Sequence, residues 1–141
     1  MIHYDIDTLE NGYKNIKGSL TTIDELKKII DDYSPNFVGY IKTDTFENLK
    51  MCISAVKGLG VFIGISNEAD RSAEEFFSLF DNNLLSEVVD VWIELYVSKG
   101  LFIPADFAWI GIEDFITKGV MTDSIQWISS KDIPDDGNWI I

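Results

Sequence analysis

The chain opens on strict alternation. Ile2, Tyr4 and Ile6 fall on one side of a short strand over residues 2–7, and His3, Asp5 and Asp7 fall on the other. Glu10-Asn11-Gly12 then reads as a turn. From Thr22 the period changes. Ile23, Leu26, Ile29, Ile30 and Tyr33 recur at helical spacing, while Lys27, Lys28, Asp31 and Asp32 face away. Thr22 with Glu25 has the form of a capping box. Ser34-Pro35 closes the segment, because the residue before a proline is pushed out of the helical region. The pattern predicts a helix over 22–33.

Three strand-like runs follow, over residues 37–43, 49–56 and 59–66. In the second, Leu49, Met51, Ile53 and Ala55 alternate with Lys50, Cys52 and Ser54. In the third, Leu59, Val61, Ile63 and Ile65 alternate with Gly60, Phe62 and Gly64, and Lys57-Gly58 between the runs suits a tight hairpin turn. One sheet face is therefore aliphatic and the other small or polar.

Residues 67–86 allow two readings. Ala69, Ala73, Phe76, Phe77 and Phe80 fit a helix face capped by Asn67, and Phe76–Phe80 fits a short strand equally well. Residues 88–97 read as one strand. Val89, Val91, Ile93, Leu95 and Val97 line its aliphatic face; Asp90, Trp92, Glu94 and Tyr96 give the opposite face an aromatic and acidic character. Ser98-Lys99-Gly100 turns the chain into Leu101-Phe102-Ile103. A second helix over 105–118 begins at Pro104, with Asp106 in its first turn, an apolar stripe of Ala108, Ile112, Phe115 and Ile116, and Lys118-Gly119 as its stop. A strand over 124–128 carries Trp127. Pro134-Asp135-Asp136-Gly137 makes a turn, and the apolar end Trp139-Ile140-Ile141 is expected to dock on the body. The sum is a single α+β domain over 1–141: a mainly antiparallel sheet of five to six strands with two helices on its aliphatic face.

Charge sharpens this picture. The 141 residues carry a formal net charge of −13, and the imbalance is local. Residues 68–94 hold eight acids against Arg71 alone, whereas residues 1–67 hold nine acids and seven lysines. A one-sided negative surface repels nucleic acid and anionic membrane and attracts a cationic partner. No secretory signal and no apolar run of membrane-spanning length is visible, so the sequence reads as a cytoplasmic protein. Cys52 stands alone, which excludes an internal disulfide.

Catalytic constellations are not visible. His3 is the only histidine and falls on the polar side of a terminal strand, where it reads as a surface residue. One His and one Cys cannot assemble a His/Cys zinc cluster, and Gly58, Gly60 and Gly64 lack the following Gly-Lys-Ser/Thr of a phosphate loop. The reading is therefore no catalytic residue, no metal and no cofactor. The candidate partner-binding residues are Glu74, Glu87, Asp90 and Glu94 for charge, with Trp92 and Tyr96 as aromatic anchors and Phe62 on the same sheet face. The rival reading has that face covered by residues 67–80, with the aromatics in the core.

Residues 101–127 carry a pattern that resembles the first family of polymorphic-toxin immunity proteins, of the contact-dependent inhibition type. The matching elements are Ile103-Pro104 opening the helix, Phe115 near its end, the stop Thr117-Lys118-Gly119, and the strand end Ile125-Gln126-Trp127. The resemblance covers about a fifth of the chain, and residues 129–141 have no counterpart in it. It favours the strand reading at Phe76–Phe80. It implies a stoichiometric, non-catalytic inhibitor that binds a basic toxin domain, a nuclease or nucleic-acid deaminase, and obstructs its substrate site. Two other classes stay open: an acidic interaction module or nucleic-acid mimic for another basic protein, and a small carboxylate-dependent enzyme.

Overall fold

In the computed structural model, which describes residues 1–33, 35–70 and 72–134, the opening alternation builds a hairpin. Strands β1 (Ile2–Thr8) and β2 (Lys14–Leu20) pair antiparallel, and the intervening turn takes positive φ at Asn11 and Gly12. Sequence reading misses β2. It is an edge strand with no buried residue, so no alternation of buried and exposed positions marks it.

Helix α1 (Ile23–Tyr33) follows, and its start is capped as the sequence predicts: the Glu25 N–H donates to Thr22 Oγ1 at 3.2 Å, and the Thr22 hydroxyl donates to the Glu25 carboxylate at 2.8 Å. The stop assigned to Ser34 lies outside the described residues, as do the single base Arg71, the turn from Asp135 onward and the apolar end at 139–141.

Strands β3 (Phe37–Thr43), β4 (Leu49–Val56), β5 (Gly60–Asn67), β6 (Phe76–Leu79) and β9 (Gln126–Ser129) complete a seven-stranded antiparallel sheet in the order β2-β1-β3-β4-β5-β6-β9. Residues 76–79 thus form a strand, and the helix alternative for them falls. Gly39 in β3 is set by close approach: a Cβ there would lie 2.2 Å from the Asp5 carbonyl oxygen of β1.

The aliphatic face is the one sequence reading picks out. Ile6, Ile41, Met51, Ile53 and Ile63 are buried there beneath α1 and α2 (Ala105–Lys118), which contribute Leu26, Ile30, Ala108, Ile112 and Phe115. Helix α2 ends at Gly119 in the left-handed conformation, whose N–H donates to the Phe115 carbonyl at 3.0 Å. Trp127 packs against this same core and donates its indole N–H to the Thr122 carbonyl at 2.7 Å.

The opposite face is where expectation and structure part. Residues 88–97 are not one strand but two, β7 (Val88–Trp92) and β8 (Leu95–Ser98), which among the described residues pair only with each other. This hairpin lies over the sheet and buries a second core in which Phe62, Phe77, Val97 and Phe102 meet, with Val89 and Val91 packed against them. Phe62 is therefore interior and leaves the candidate surface.

The hairpin's base is tied down firmly. Past Ile63, strands β5 and β6 separate and residues 100–103 enter between them: Val61 and Ile103 exchange backbone hydrogen bonds at 2.8 Å each, and the Phe80 N–H donates to the Gly100 carbonyl at 2.8 Å. Buried Ser78 closes the gap, donating to the Leu101 carbonyl at 2.7 Å and accepting from the Ile63 N–H at 3.1 Å. Leu101-Phe102-Ile103 is thus a short turn and a single bridge, not a full strand. No helix among the described residues is long and apolar enough to cross a membrane.

Candidate partner-binding site

The β7–β8 hairpin turns at Ile93-Glu94, two residues with φ of 34° and 68°. Positive φ at both central positions is the signature of a turn that Asn-Gly makes without strain. A β-branched residue in that conformation is an outlier. What holds the turn is Asp90. One of its carboxylate oxygens accepts from the Trp92 N–H at 3.0 Å and the other from the Glu94 N–H at 3.0 Å, across a bulge at Val91. A residue selected for its charge is thus also a backbone clamp, and Ile93 at the apex is left 70% exposed.

Around the apex stands an aromatic group. Trp92 meets the Tyr13 ring edge-on, joining the hairpin to the β1–β2 turn, and Tyr96 faces solvent beside Asp90 in the ladder. Tyr13 is 64% exposed. Its hydroxyl donates to Asp7 at 3.0 Å, and that bond, with burial second, raises the phenol above its ordinary value. Asn15 spans Asp5 and Asp7, donating to them at 2.7 and 2.8 Å. Between the two hairpins runs a cleft of about 170 Å³ lined by Leu9, Glu10, Asn36, Val91 and Trp92.

Four of the six candidates, Asp90, Trp92, Glu94 and Tyr96, therefore share one hairpin tip, but not the one face the alternation predicts. Asp90 pairs with Tyr96, whereas the bulge pairs Trp92 with Leu95 and leaves it half-buried against Tyr13 and the cleft. Glu87 stands at the base of the hairpin and pairs with Lys99 at 3.8 Å. Glu74 lies beside the opposite end of the sheet order, before β6, where Ser129 and then Lys131 hold its carboxyl below the usual range. Sequence reading does not find Tyr13. The turn before it is legible, but only the fold brings that turn against residues 90–96.

A second exposed apolar pair, Phe80 and Phe107, lines a groove of about 240 Å³ with Ser124 and Gln126. Among the described residues that groove has no charged lining, so it offers a basic partner nothing but apolar area. Among the described residues, too, no three His, Cys, Asp or Glu side chains are grouped to hold a metal ion. Comparison with family models, curated proteins and solved structures finds no match to this chain.

Proposed function

We infer that the protein is a stoichiometric inhibitor of the immunity type, without catalytic activity, which binds a basic toxin domain and covers its substrate-binding surface. The observation that carries this reading is the hairpin tip: Ile93 held exposed in a strained turn, with Trp92, Tyr13 and Tyr96 around it and Asp90 and Glu94 among them. Strain of this kind is held by the surrounding structure, here the Asp90 clamp, and clusters at binding and switch regions. Tyr13 and Tyr96 are exposed and Trp92 is half-buried against Tyr13. Aromatics so placed anchor interfaces, and surrounding carboxylates steer a cationic partner and set its orientation.

The partner's charge follows from its chemistry. A domain that acts on nucleic acid carries clustered Lys and Arg to hold phosphates, and a protein of net charge −13 is suited to cover that surface. The resemblance at residues 101–127 points the same way. Cytoplasmic residence belongs to this reading, since a nucleic-acid-acting toxin does its damage there.

Co-expression with the C-terminal domain encoded immediately upstream tests it. Cell survival together with co-purification of the two chains is the expected result. Toxicity without rescue, or a neighbour with no toxicity, overturns the reading and leaves an acidic interaction module.

A further inference from the structure

Beneath the hairpin tip lies a cavity of about 190 Å³. Its floor is strand β4, along which Ser54, Cys52 and Lys50 point to the same sheet face at two-residue spacing. Val38 and Phe62 flank Ser54 from β3 and β5, Tyr40 flanks Cys52, and Val91 and Leu95 of the hairpin form the roof.

The polar groups are distributed unevenly along this slot. At the inner end Ser54 is 3% exposed, and its Oγ has no hydrogen-bond partner among the described residues. A buried hydroxyl left unmatched costs about 1–3 kcal/mol, so its presence calls for a reason. At the mouth the half-buried Lys50 ammonium sits over the Tyr40 ring, 5.2 Å from its centroid. It makes no ion pair among the described residues, though its charge also reaches the Glu68 carboxylate, and Glu75 acts on the adjoining Cys52. Everything between is apolar or weakly polar.

The two ends specify an occupant. A carboxylate at the inner end would lose its hydration for one hydroxyl, which is unfavourable; a neutral hydroxyl both donates and accepts, as Ser54 does. An anion suits the mouth, where the Lys50 ammonium has no carboxylate in direct contact among the described residues and water still reaches. The volume sets the size. An apolar cavity of about 150 Å³ takes benzene, so this one admits a single six-membered ring with short substituents.

We propose that the slot binds a small phenolic carboxylate, its ring between Phe62 and the Val91–Leu95 roof, its hydroxyl on Ser54 and its carboxylate at Lys50. This site is separate from the exposed outer surface of the hairpin, and it does not depend on the partner-binding reading. The Cys52 thiol borders the ring and stays neutral, because burial opposes its ionisation.

Titration of the full chain with 4-hydroxybenzoate, followed by amide NMR and by calorimetry, decides the matter. The expected result is saturable binding that moves the Ser54, Cys52 and Val91 amides. Phenol and benzoate, each lacking one end, should bind about tenfold more weakly, and Ser54→Ala and Lys50→Met should each cost about tenfold while remaining folded by circular dichroism. Absence of shifts at millimolar 4-hydroxybenzoate overturns the proposal. So does an affinity that both folded variants leave unchanged.

Discussion

The Trp92 ring stands edge-on to that of Tyr13, with centroids 6.0 Å apart and planes inclined at 73°, and this contact joins two hairpins more than seventy residues apart in sequence. Edge-to-face pairs contribute about 0.5–1.5 kcal/mol beyond the area they bury. A double-mutant cycle on Tyr13→Ala and Trp92→Ala should return a coupling of about 1 kcal/mol in denaturant unfolding. Trp92→Ala should also weaken partner binding by roughly 2 kcal/mol or more. Undiminished affinity in the folded variant would remove Trp92 from the interface.

Asp90 separates two effects that a charge reversal would mix. Its carboxylate clamps the Trp92 and Glu94 amides, so Asp90→Ala should cost about 1 kcal/mol of stability, and Asp90→Asn, which keeps one acceptor, less than that. Among the described residues the Glu94 side chain clamps no backbone amide in this way. Glu94→Lys is therefore the cleaner probe of steering: association should slow, and more so at low salt. An association rate indifferent to salt would sink the electrostatic account.

The apex turn predicts a conflict between stability and binding. Ile93→Asn combined with Glu94→Gly gives the pair that positive φ prefers, and relief of the strain should raise stability by about 1 kcal/mol, or Tm by roughly 3–5 °C. The same change removes the most exposed apolar side chain of the tip, so affinity for the partner should fall. If the variant is more stable and binds as well as before, the strain has another origin.

These residues also explain what sequence reading can reach. Helices α1 and α2 and strands β3 to β5 are legible because one side of each is buried and the period is strong, as in Leu26 to Ile30 or Met51 to Ala55. The β7–β8 turn is hidden by register. The two-residue turn pairs Trp92 with Leu95 and so switches parity, but the bulge at Val91 restores it. Val89 faces Val97 and Asp90 faces Tyr96, and the aliphatic period of two in the sequence runs on through Ile93-Glu94. No Gly, Asn or Pro marks the turn, because Asp90 supplies by hydrogen bonds what those residues supply by conformation. The site is half legible for the same reason. Tyr96 shows as an exposed-pattern aromatic and is exposed, whereas Trp92 shows as one but is turned by the bulge into the cleft. Tyr13 and the slot floor at Ser54 gain meaning only when β1, β3 and the hairpin converge.

Acid should destabilise the fold through a specific group of carboxylates. Hydrogen bonds to Thr22 and Thr21 lower Glu25, the bond from His3 and then the amino terminus lower Asp44, and the Lys42 ammonium lowers Glu68. A carboxylate whose folded value lies below its unfolded one contributes stability that is present above the unfolded value and lost as pH falls through the folded one. For the glutamates the loss begins near 4.5, their ordinary value. Tm measured from pH 7 down to 2 should therefore hold until that region and then fall. Glu68→Gln should flatten the descent, and an unchanged profile in that variant would show that the Lys42 contact does not form in solution.

Cys52 reports whether the hairpin stays closed. Burial, with the Glu75 carboxylate second, pushes its thiol up to about 12 from an ordinary 9.0. Because the folded value is the higher, the linked stability is complete below pH 9 and declines as pH rises toward 12. At pH 8 the native protein should then hold on the order of a thousandfold less thiolate than the unfolded chain, and thiolate is the reactive form. Disulfide reagents should accordingly label native Cys52 slowly and the urea-unfolded chain at the rate of a free thiol. Val91 and Leu95 roof the same slot, so Asp90→Ala, by loosening the turn that holds them, should speed native labelling more than it lowers global stability. Labelling of the native protein at the free-thiol rate would mean that the hairpin does not rest on the sheet.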